Sequence, residues 1–267
     1  MQKWPAEAIW EAVEPTLPGF TVETLAEIDS TNTELMRRAR AGRAEPTLLV
    51  AERQSAGRGR LGRSWLGEPG DALTFSLGLP LAPVDWSGLS LAAGVAVAEA
   101  LQGPPAPAAA LRLGLKWPND LWLWSGAQGR KLAGILVETA TAAGAEAAAM
   151  RYAVIGVGIN VRPHPAAGLS TPPAALQEVL PGIDAPAALL RVAAPLVMAV
   201  LGFAATGFGP FQARFDALDI LRDRAVRLSD GTTGTAHGVG EDGALLVHTA
   251  AGMQAVTSAE VSVRPAP

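Results

Sequence analysis

Hydrophobic positions along the chain change period several times, and each change marks an element. The runs VETLAEI (22–28) and TLLVAERQ (47–54) read as strands, and ALTFSLGL (72–79) alternates as one. LRLGLKW (111–117) alternates too, with Leu111, Leu113, Leu115 and Trp117 on one face and Arg112 and Lys116 on the other. LWLW and RKLAGILVET form a hairpin around SGAQG, and YAVIGVGINV (152–161) is a further buried strand. Helical spacing covers 4–14, begun near Pro5 and ended by Pro15. The stretch DSTNTELMRRARAG predicts a helix with Thr31-x-x-Glu34 as a capping box and Gly42 at its stop. Asp85 is placed to cap an apolar, mostly buried helix running to about Gln102. Two more helices are predicted over 185–205 and 210–218. Residues 103–110, 140–149 and 164–173 read as loops.

From Ala225 the pattern shortens. AVRLSD, GTAHGVG, GALLVHT, MQAVT and VSVR are brief strands parted by DG, EDG and AG turns. The expected fold class is therefore α+β: a mixed β-sheet with helices, followed by a small β-barrel. The domains are 1–219 and 220–267, with the boundary near Asp219–Asp223.

Composition narrows the classes. The chain has 267 residues, 49% hydrophobic, enough for one or two globular domains. A net charge of −4 argues against general nucleic-acid binding but allows a local basic site. The absence of cysteine removes disulfides and thiolate chemistry. MQKWPAEAIW lacks a signal peptide's apolar core. The apolar run Val192–Ala205 is shorter than the ~20 residues of a membrane span, and Pro195 interrupts it. A soluble cytoplasmic protein is expected, with no membrane contact. The only lysines are Lys3, Lys116 and Lys131 in a chain that otherwise writes arginine, so the two internal ones draw notice.

The densest chemistry lies in RQSAGRGRLGRSW (53–65), with four arginines and no acid. Gly57-x-Gly59-x-x-Gly62 is formally a dinucleotide fingerprint, but no helix can follow it readily. No Gly-Lys-Ser/Thr follows, and no kinase catalytic loop appears. Four arginines without an interleaved acid repel one another, so an anionic partner is expected. Guanidinium forks match phosphate oxygens, and the glycines serve as hinges for a loop that closes. Ser30-Thr31-Asn32 is ordinary helix capping, yet it also supplies donors and acceptors for a small polar group. Lys116-Trp-Pro-Asn-Asp120 and Arg130-Lys131 flank a hairpin that would bring both lysines near Asp120. Such a gathering suits negative charge developing in transfer at phosphorus. His164, His237 and His248 are expected to lie far apart, in loop or C-terminal positions, and to form neither a metal site nor a triad.

DSTN (29–32), Q-x-x-GRGR-x-GR-x-W (54–65), KWPND (116–120), RKLAGIL-x-E (130–138) and G-x-GIN (156–160), in this order and spacing, resemble the biotin protein ligase family of BirA type. The resemblance covers about Val22 to Asn160. It implies a class II tRNA synthetase-like catalytic sheet and a C-terminal SH3-like β-barrel. It implies an ATP-dependent ligase that makes biotinyl-5′-AMP, then passes biotin to a lysine of the biotin carboxyl carrier protein. By motif, Ser30, Thr31, Asn32, Gln54, Arg58, Gly59, Arg60, Lys131 and Gly134 would bind biotin. Lys116, Asn119, Asp120, Lys131 and Asn160 would serve ATP. Lys131, Arg58 and Arg60 would act in catalysis, and Trp65 would anchor the loop. Mg²⁺ is expected with ATP, and no separate protein metal site.

Two departures stand out. Some members carry an N-terminal winged helix-turn-helix of ~60 residues and act as repressors; about twenty residues precede the first strand here, so no DNA binding is expected. Some members stack adenine on an aromatic after GIN, whereas 162–177 holds no Trp, Tyr or Phe. A homodimer is compatible with the sequence. Lipoate ligase, of the same fold, is the alternative, but its RRxSGG loop is missing. A biotin carrier is disfavoured because no lysine has Met-Lys-Met flanks.

Overall fold

The computed structural model describes residues 2–65, 67–103, 111–125, 128–141, 150–163, 171–257 and 263–265. Most of the predicted loops at 103–110, 140–149 and 164–173 lie outside these residues. Strands β1 (Thr21–Ile28), β2 (Thr47–Gln54), β3 (Ala72–Leu81), β4 (Arg112–Lys116), β5 (Asp120–Ser125), β6 (Gln128–Ala140) and β7 (Arg151–Asn160) build a seven-stranded sheet. Its order is β1-β2-β3-β7-β6-β5-β4. β1 and β2 are parallel, joined through helix α2 (Thr31–Arg40), and every other neighbour is antiparallel. The sheet is therefore mixed, because a parallel pair needs a crossover that α2 supplies.

Both faces of the sheet are covered. Helices α1 (Ala6–Val13), α3 (Leu89–Ala100) and α4 (Ala185–Thr206) pack Ile9, Val95, Leu189, Val192 and Leu196 into one core with Leu73, Phe75, Ile135 and Ile155. On the other face α2 buries Leu35, Met36 and Ala39 against Leu49, Tyr152 and Val154. This double cover explains why β3 and β7 read as near-continuous apolar runs. It also leaves a gap beside the start of α2, where the site forms.

Four expectations need correction. The helix cap is Ser30, one residue before the expected Thr31; its side chain accepts from the Thr33 amide at 3.4 Å. With Ser30 as cap the third helical residue is Thr33, so Glu34 is out of register for a capping box and pairs with Arg37 and Arg38 instead. Helix α3 starts at Leu89 after Gly88, whose φ of 85° a side chain would resist; Asp85 instead accepts from the Ser87 amide. Helix α4 runs 22 residues straight through Pro195, whose exposed ring costs it no core contact. By length and composition α4 could cross a membrane, contrary to the length argument above, but one side is a buried core face.

The fourth concerns the C-terminal strands β8 (Ala225–Leu228), β9 (Thr233–Val239), β10 (Leu245–Thr249), β11 (Gly252–Val256) and β12 (Val263–Pro265). They form an antiparallel sheet ordered β11-β10-β9-β8-β12, of the expected SH3-like kind. Pairing of β9 with β10 sets the rings of His237 and His248 edge to face, 6.1 Å apart. These two histidines are thus neighbours in space. Helix α5 (Gly209–Leu218) leads into this sheet. Asp219 bridges Leu115 of β4, and the Ile220 amide donates to the Leu115 carbonyl at 3.0 Å.

Candidate functional site

The gap at the start of α2 is a cavity of about 140 Å³. Its walls come from the α2 cap, the arginine loop, the β4–β5 turn and the middle of β6 and β7. It is lined by Ser30, Thr31, Asn32, Gln54, Arg58, Gly59, Arg60, Trp65, Asn119, Asp120, Lys131 and Gly134, all named from the sequence.

The α2 cap is buried, which obliges its polar atoms to find partners. The Thr31 amide and hydroxyl both donate to Gln54 Oε1, at 2.7 and 3.1 Å. Ser76 Oγ on β3 lies 2.7 Å from Thr31 Oγ1 and 2.6 Å from Asn32 Oδ1. Asn32 Nδ2 then donates to the Leu136 carbonyl at 3.2 Å and to Glu138 Oε2 at 3.1 Å. The floor needs glycine for this. A Cβ on Gly156 would sit 2.1 Å from Asn32 Oδ1, and one on Gly158 would sit 2.4 Å from Trp65 Cε2.

The arginine loop is not a loose strap. The Trp65 amide donates to the Gly57 carbonyl at 2.9 Å, and the Gly59 amide to the Arg63 carbonyl at 2.7 Å. Leu61 (φ 56°) and Gly62 (φ 71°) turn the chain between them. The glycines expected as hinges are thus built into a hairpin-like turn. Its charge is also better balanced than the loop sequence suggests. Arg53 pairs with Glu27 of β1 at 3.4 Å, and Arg58 with Glu138 of β6 at 3.1 Å. Both acids come from distant strands, so the sequence of the loop itself could not show them.

Arg60 faces the interior, with Nη1 donating to Asn119 Oδ1 at 3.2 Å. Burial pushes its guanidinium below the ordinary arginine range, Asp120 works against that, and Arg63 adds to it. A desolvated cation of this kind gains from an anion placed beside it. Asn119 is itself fixed, donating to the Ile135 carbonyl at 2.8 Å. Lys131 Nζ lies 2.7 Å from Asp120 Oδ1 and 5.9 Å from the centre of the Trp65 ring. Its backbone is gripped from a second side: its amide donates to the Pro172 carbonyl at 2.9 Å, and its carbonyl accepts from the Ala174 amide at 2.8 Å. Asp120, Lys131 and the Trp65 ring therefore share one wall.

Two named residues stand outside the lining. Lys116 is buried with Nζ 5.3 Å from the centre of the Trp122 ring. Asn160 lies behind the wall, its Nδ2 donating to the Lys131 carbonyl at 3.3 Å. Sequence reasoning gave no role to Ser76 or Glu138. The alternation of Thr74 and Ser76 within an otherwise apolar strand was the available signal for the first. Glu138 stood at the end of a quoted motif. Among the described residues no three His, Cys, Asp or Glu gather to hold a metal. Asp120 nonetheless suits Mg²⁺ arriving with a nucleotide, since that ion commonly takes one or two protein carboxylates and completes its shell with phosphate and water.

A cavity lined by both hydrogen-bonding groups and cations suits a small polar molecule carrying an anionic group. Comparison with known proteins gives the family. Residues 25–160 match the Biotin/lipoate A/B protein ligase family, and residues 223–264 match the Biotin protein ligase C terminal domain. The bifunctional ligase/repressor BirA of Escherichia coli (strain K12) is 35% identical over 260 residues, 94% of this chain and 76% of that protein. The biotin--[acetyl-CoA-carboxylase] ligase of Paracoccus denitrificans is 34% identical over 262 residues, 89% of this chain and 98% of that one. Among solved structures, the biotin protein ligase from Aquifex aeolicus in complex with biotin and ATP superposes with a TM-score of 0.74 at 29% identity, covering 92% of this chain and 99% of that one.

Proposed function

The chain belongs to the biotin/lipoate A/B protein ligase family, as a ligase of the biotin protein ligase branch, and we propose that it biotinylates the carrier domain of a biotin-dependent carboxylase in two steps within this one cavity. In the first, a biotin carboxylate oxygen attacks the α-phosphorus of ATP. The new bond joins that oxygen to Pα, the bond from Pα to the oxygen bridging Pβ breaks, and pyrophosphate leaves on that oxygen with the electron pair. In the second, the neutral ε-amine of the acceptor lysine attacks the acyl carbon. The C–O bond to AMP breaks, and the amine loses its proton as the amide forms.

The observation that carries this reading is that buried Ser30, Thr31 and Asn32, with Gln54 bonded to Thr31, line the same cavity of about 140 Å³ as the cations Arg58, Arg60 and Lys131. The polar group supplies fixed donors and acceptors for the ring end of biotin. The cations stand where a carboxylate becomes a phosphoanhydride. Lys131, held by Asp120 and by its doubly bonded backbone, stabilises the charge that builds on the carboxyl and phosphoryl oxygens. Arg58 and Arg60 cover the adenylate, and Trp65 anchors their loop against Gly158. Asn119 and Asp120 serve the nucleotide, with Asp120 the carboxylate for its Mg²⁺, which would neutralise phosphate charge. Lys116 and Asn160 act from behind the wall. A net charge of −4 supports a purely enzymatic role without operator binding.

The test is ATP–pyrophosphate exchange with biotin or lipoate, followed by label transfer to a carboxylase carrier domain. Exchange with biotin alone and transfer to the carrier are expected. Exchange with lipoate alone would refute the substrate, and protection of DNA in a footprint would refute the purely enzymatic role.

A further inference from the structure

Lys131 reaches the cavity because β6 is bulged there. Leu121 faces Ala133 and Trp122 faces Lys131, so Leu132 has no partner on β5. The extra residue lets Leu132 and Ala133 both enter the core while Lys131 lines the cavity. A bulge also breaks the ladder locally, and β7 gives no help, since its pairing with β6 runs from Ala133 onward. Residues 172–174 take its place beside Lys131, as a parallel bridge through Pro173. The amide and the carbonyl of Lys131 are both spent on that segment.

A side-chain clip fastens the segment. Arg130 Nη1 donates to the Pro173 carbonyl at 3.3 Å and to Glu178 Oε1 at 3.0 Å, and its Nη2 donates to Glu178 Oε2. Glu178 Oε1 also accepts from the Ala175 amide at 2.8 Å. The clip therefore grips one residue away from each end of the bridge, at Arg130 beside Lys131 and at Ala175 beside Ala174. A single exposed ion pair contributes little, but a two-pronged fork fixes direction as well as distance. Hydrogen bonding between the two raises Arg130 above its ordinary range and holds Glu178 below the ordinary carboxylate range. Neither residue lines the cavity.

We propose that Arg130 and Glu178 are positioning residues for Lys131, clipping residues 172–174 against its main chain so that Nζ stands beside Asp120 in the cavity. The role of Lys131 in charge stabilisation rests on the ligase reading above; the clip on its main chain does not. With the ladder broken at Leu132, the main chain of Lys131 is set from the 172–174 side, and a displacement there passes to Nζ. The charge that Nζ meets develops at one place, and a misplacement of about 1 Å can cost on the order of 10²-fold in rate.

The experiment uses the full chain with Glu178→Gln and Arg130→Ala, each alone and in a Lys131→Ala background. Glutamine keeps an acceptor for the Ala175 amide and loses the charged fork. Thermal unfolding confirms that each variant folds; Arg130→Lys, which keeps the charge without the fork, replaces one that does not. In biotin-dependent ATP–pyrophosphate exchange, kcat is expected to fall roughly tenfold in either variant, within the cost of such a misplacement. KM for biotin is expected to hold, and kcat to fall no further once Lys131 is alanine. An unchanged kcat, or the same fall with and without Lys131, overturns the proposal. A second readout needs no turnover. The chain has only three lysines, so the NMR spectrum of its nitrogen-labelled ammonium groups is simple. With biotin and a non-hydrolysable ATP analogue in solution, the Lys131 signal is expected to move in Glu178→Gln while that of Lys116 stays. A Lys131 signal that does not move overturns the proposal. Should the parent chain show no exchange with biotin, the ligase reading fails, while the Lys131 signal still decides the role of the pair.

Discussion

The indole nitrogen of Trp117 donates to the carbonyl of Gly243 at 3.0 Å, joining residues 126 positions apart. Trp117 is fully buried, and it stands between Lys116 and the Asn119–Asp120 pair that lines the cavity. The C-terminal sheet therefore holds the turn from which two site residues project. Helix α3 holds the same turn through Ser90 Oγ, which donates to the Pro118 carbonyl at 3.1 Å.

Trp117→Phe removes that donor and leaves the Gly243 carbonyl buried without it. The expected cost is about 1–3 kcal/mol of stability, read by urea unfolding. KM for ATP should rise, because the turn carrying Asn119 and Asp120 loses its outer support. An unchanged KM in a destabilised variant would restrict the bond to a structural role.

Lys131→Ala removes the ammonium beside Asp120. Biotin-dependent ATP–pyrophosphate exchange should fall roughly 10²–10³-fold, the range for losing one preorganised charge donor. Exchange at the parent rate would take Lys131 out of the charge-stabilising role.

Arg60→Ala frees Asn119 Oδ1 and opens the cavity on the loop side. Biotinyl-AMP should leave the variant faster than the parent, measured as loss of labelled adenylate on a filter over time. Equal retention would contradict a covering role for Arg60.

Gly156→Ala drives a methyl into Asn32, whose Oδ1 would lie 2.1 Å from the new Cβ. Both atoms are fixed, so the overpacking should cost about 1–3 kcal/mol. Biotin affinity should fall with it, at about tenfold per 1.4 kcal/mol, since Asn32 must turn away. Calorimetric titration reads the loss, and an unaltered affinity would show that Asn32 does not contact the ligand.

Asp219, where the chain passes from α5 to the C-terminal sheet, is pushed up to about 6 by burial, against the opposing amide of Leu221. The folded state thus favours the protonated acid. Its contribution to stability is fully present below about pH 4 and is lost as the pH rises through 6, by an amount on the order of 3 kcal/mol. Asp219→Asn should therefore gain stability over the parent at pH 8, and the gap should close between pH 6 and 4. A pH-independent difference in denaturant midpoint would rule this out.

The strands themselves, most helices and the late β pattern follow from periods that extend over whole elements, so they can be read along the chain; the parallel β1–β2 pair and the β3–β7 pairing join separate segments and could not be. The cavity lining is concentrated in contiguous motifs for a chemical reason: residues that meet one small ligand project from a few turns and strand ends. What could not be read depends on pairings between distant segments. The Ser30 cap displaces the expected Thr31 because Thr31 gives both its amide and its hydroxyl to Gln54 of the distant strand β2. The acids that balance the arginine loop come from β1 and β6. His237 and His248 meet only through the β9–β10 register. Helix α4 is legible over 185–205, and only its apolar stretch reads as too short to match a membrane span.

The bonds between Gly57 and Trp65 and between Gly59 and Arg63 tie the arginine segment to itself. Arg58 and Arg60 stand on one short turn between those bonds, so a ligand that engages one meets the other as well. What two such cations on one turn govern is a dissociation rate, the quantity an enzyme must control when its intermediate would hydrolyse in open water.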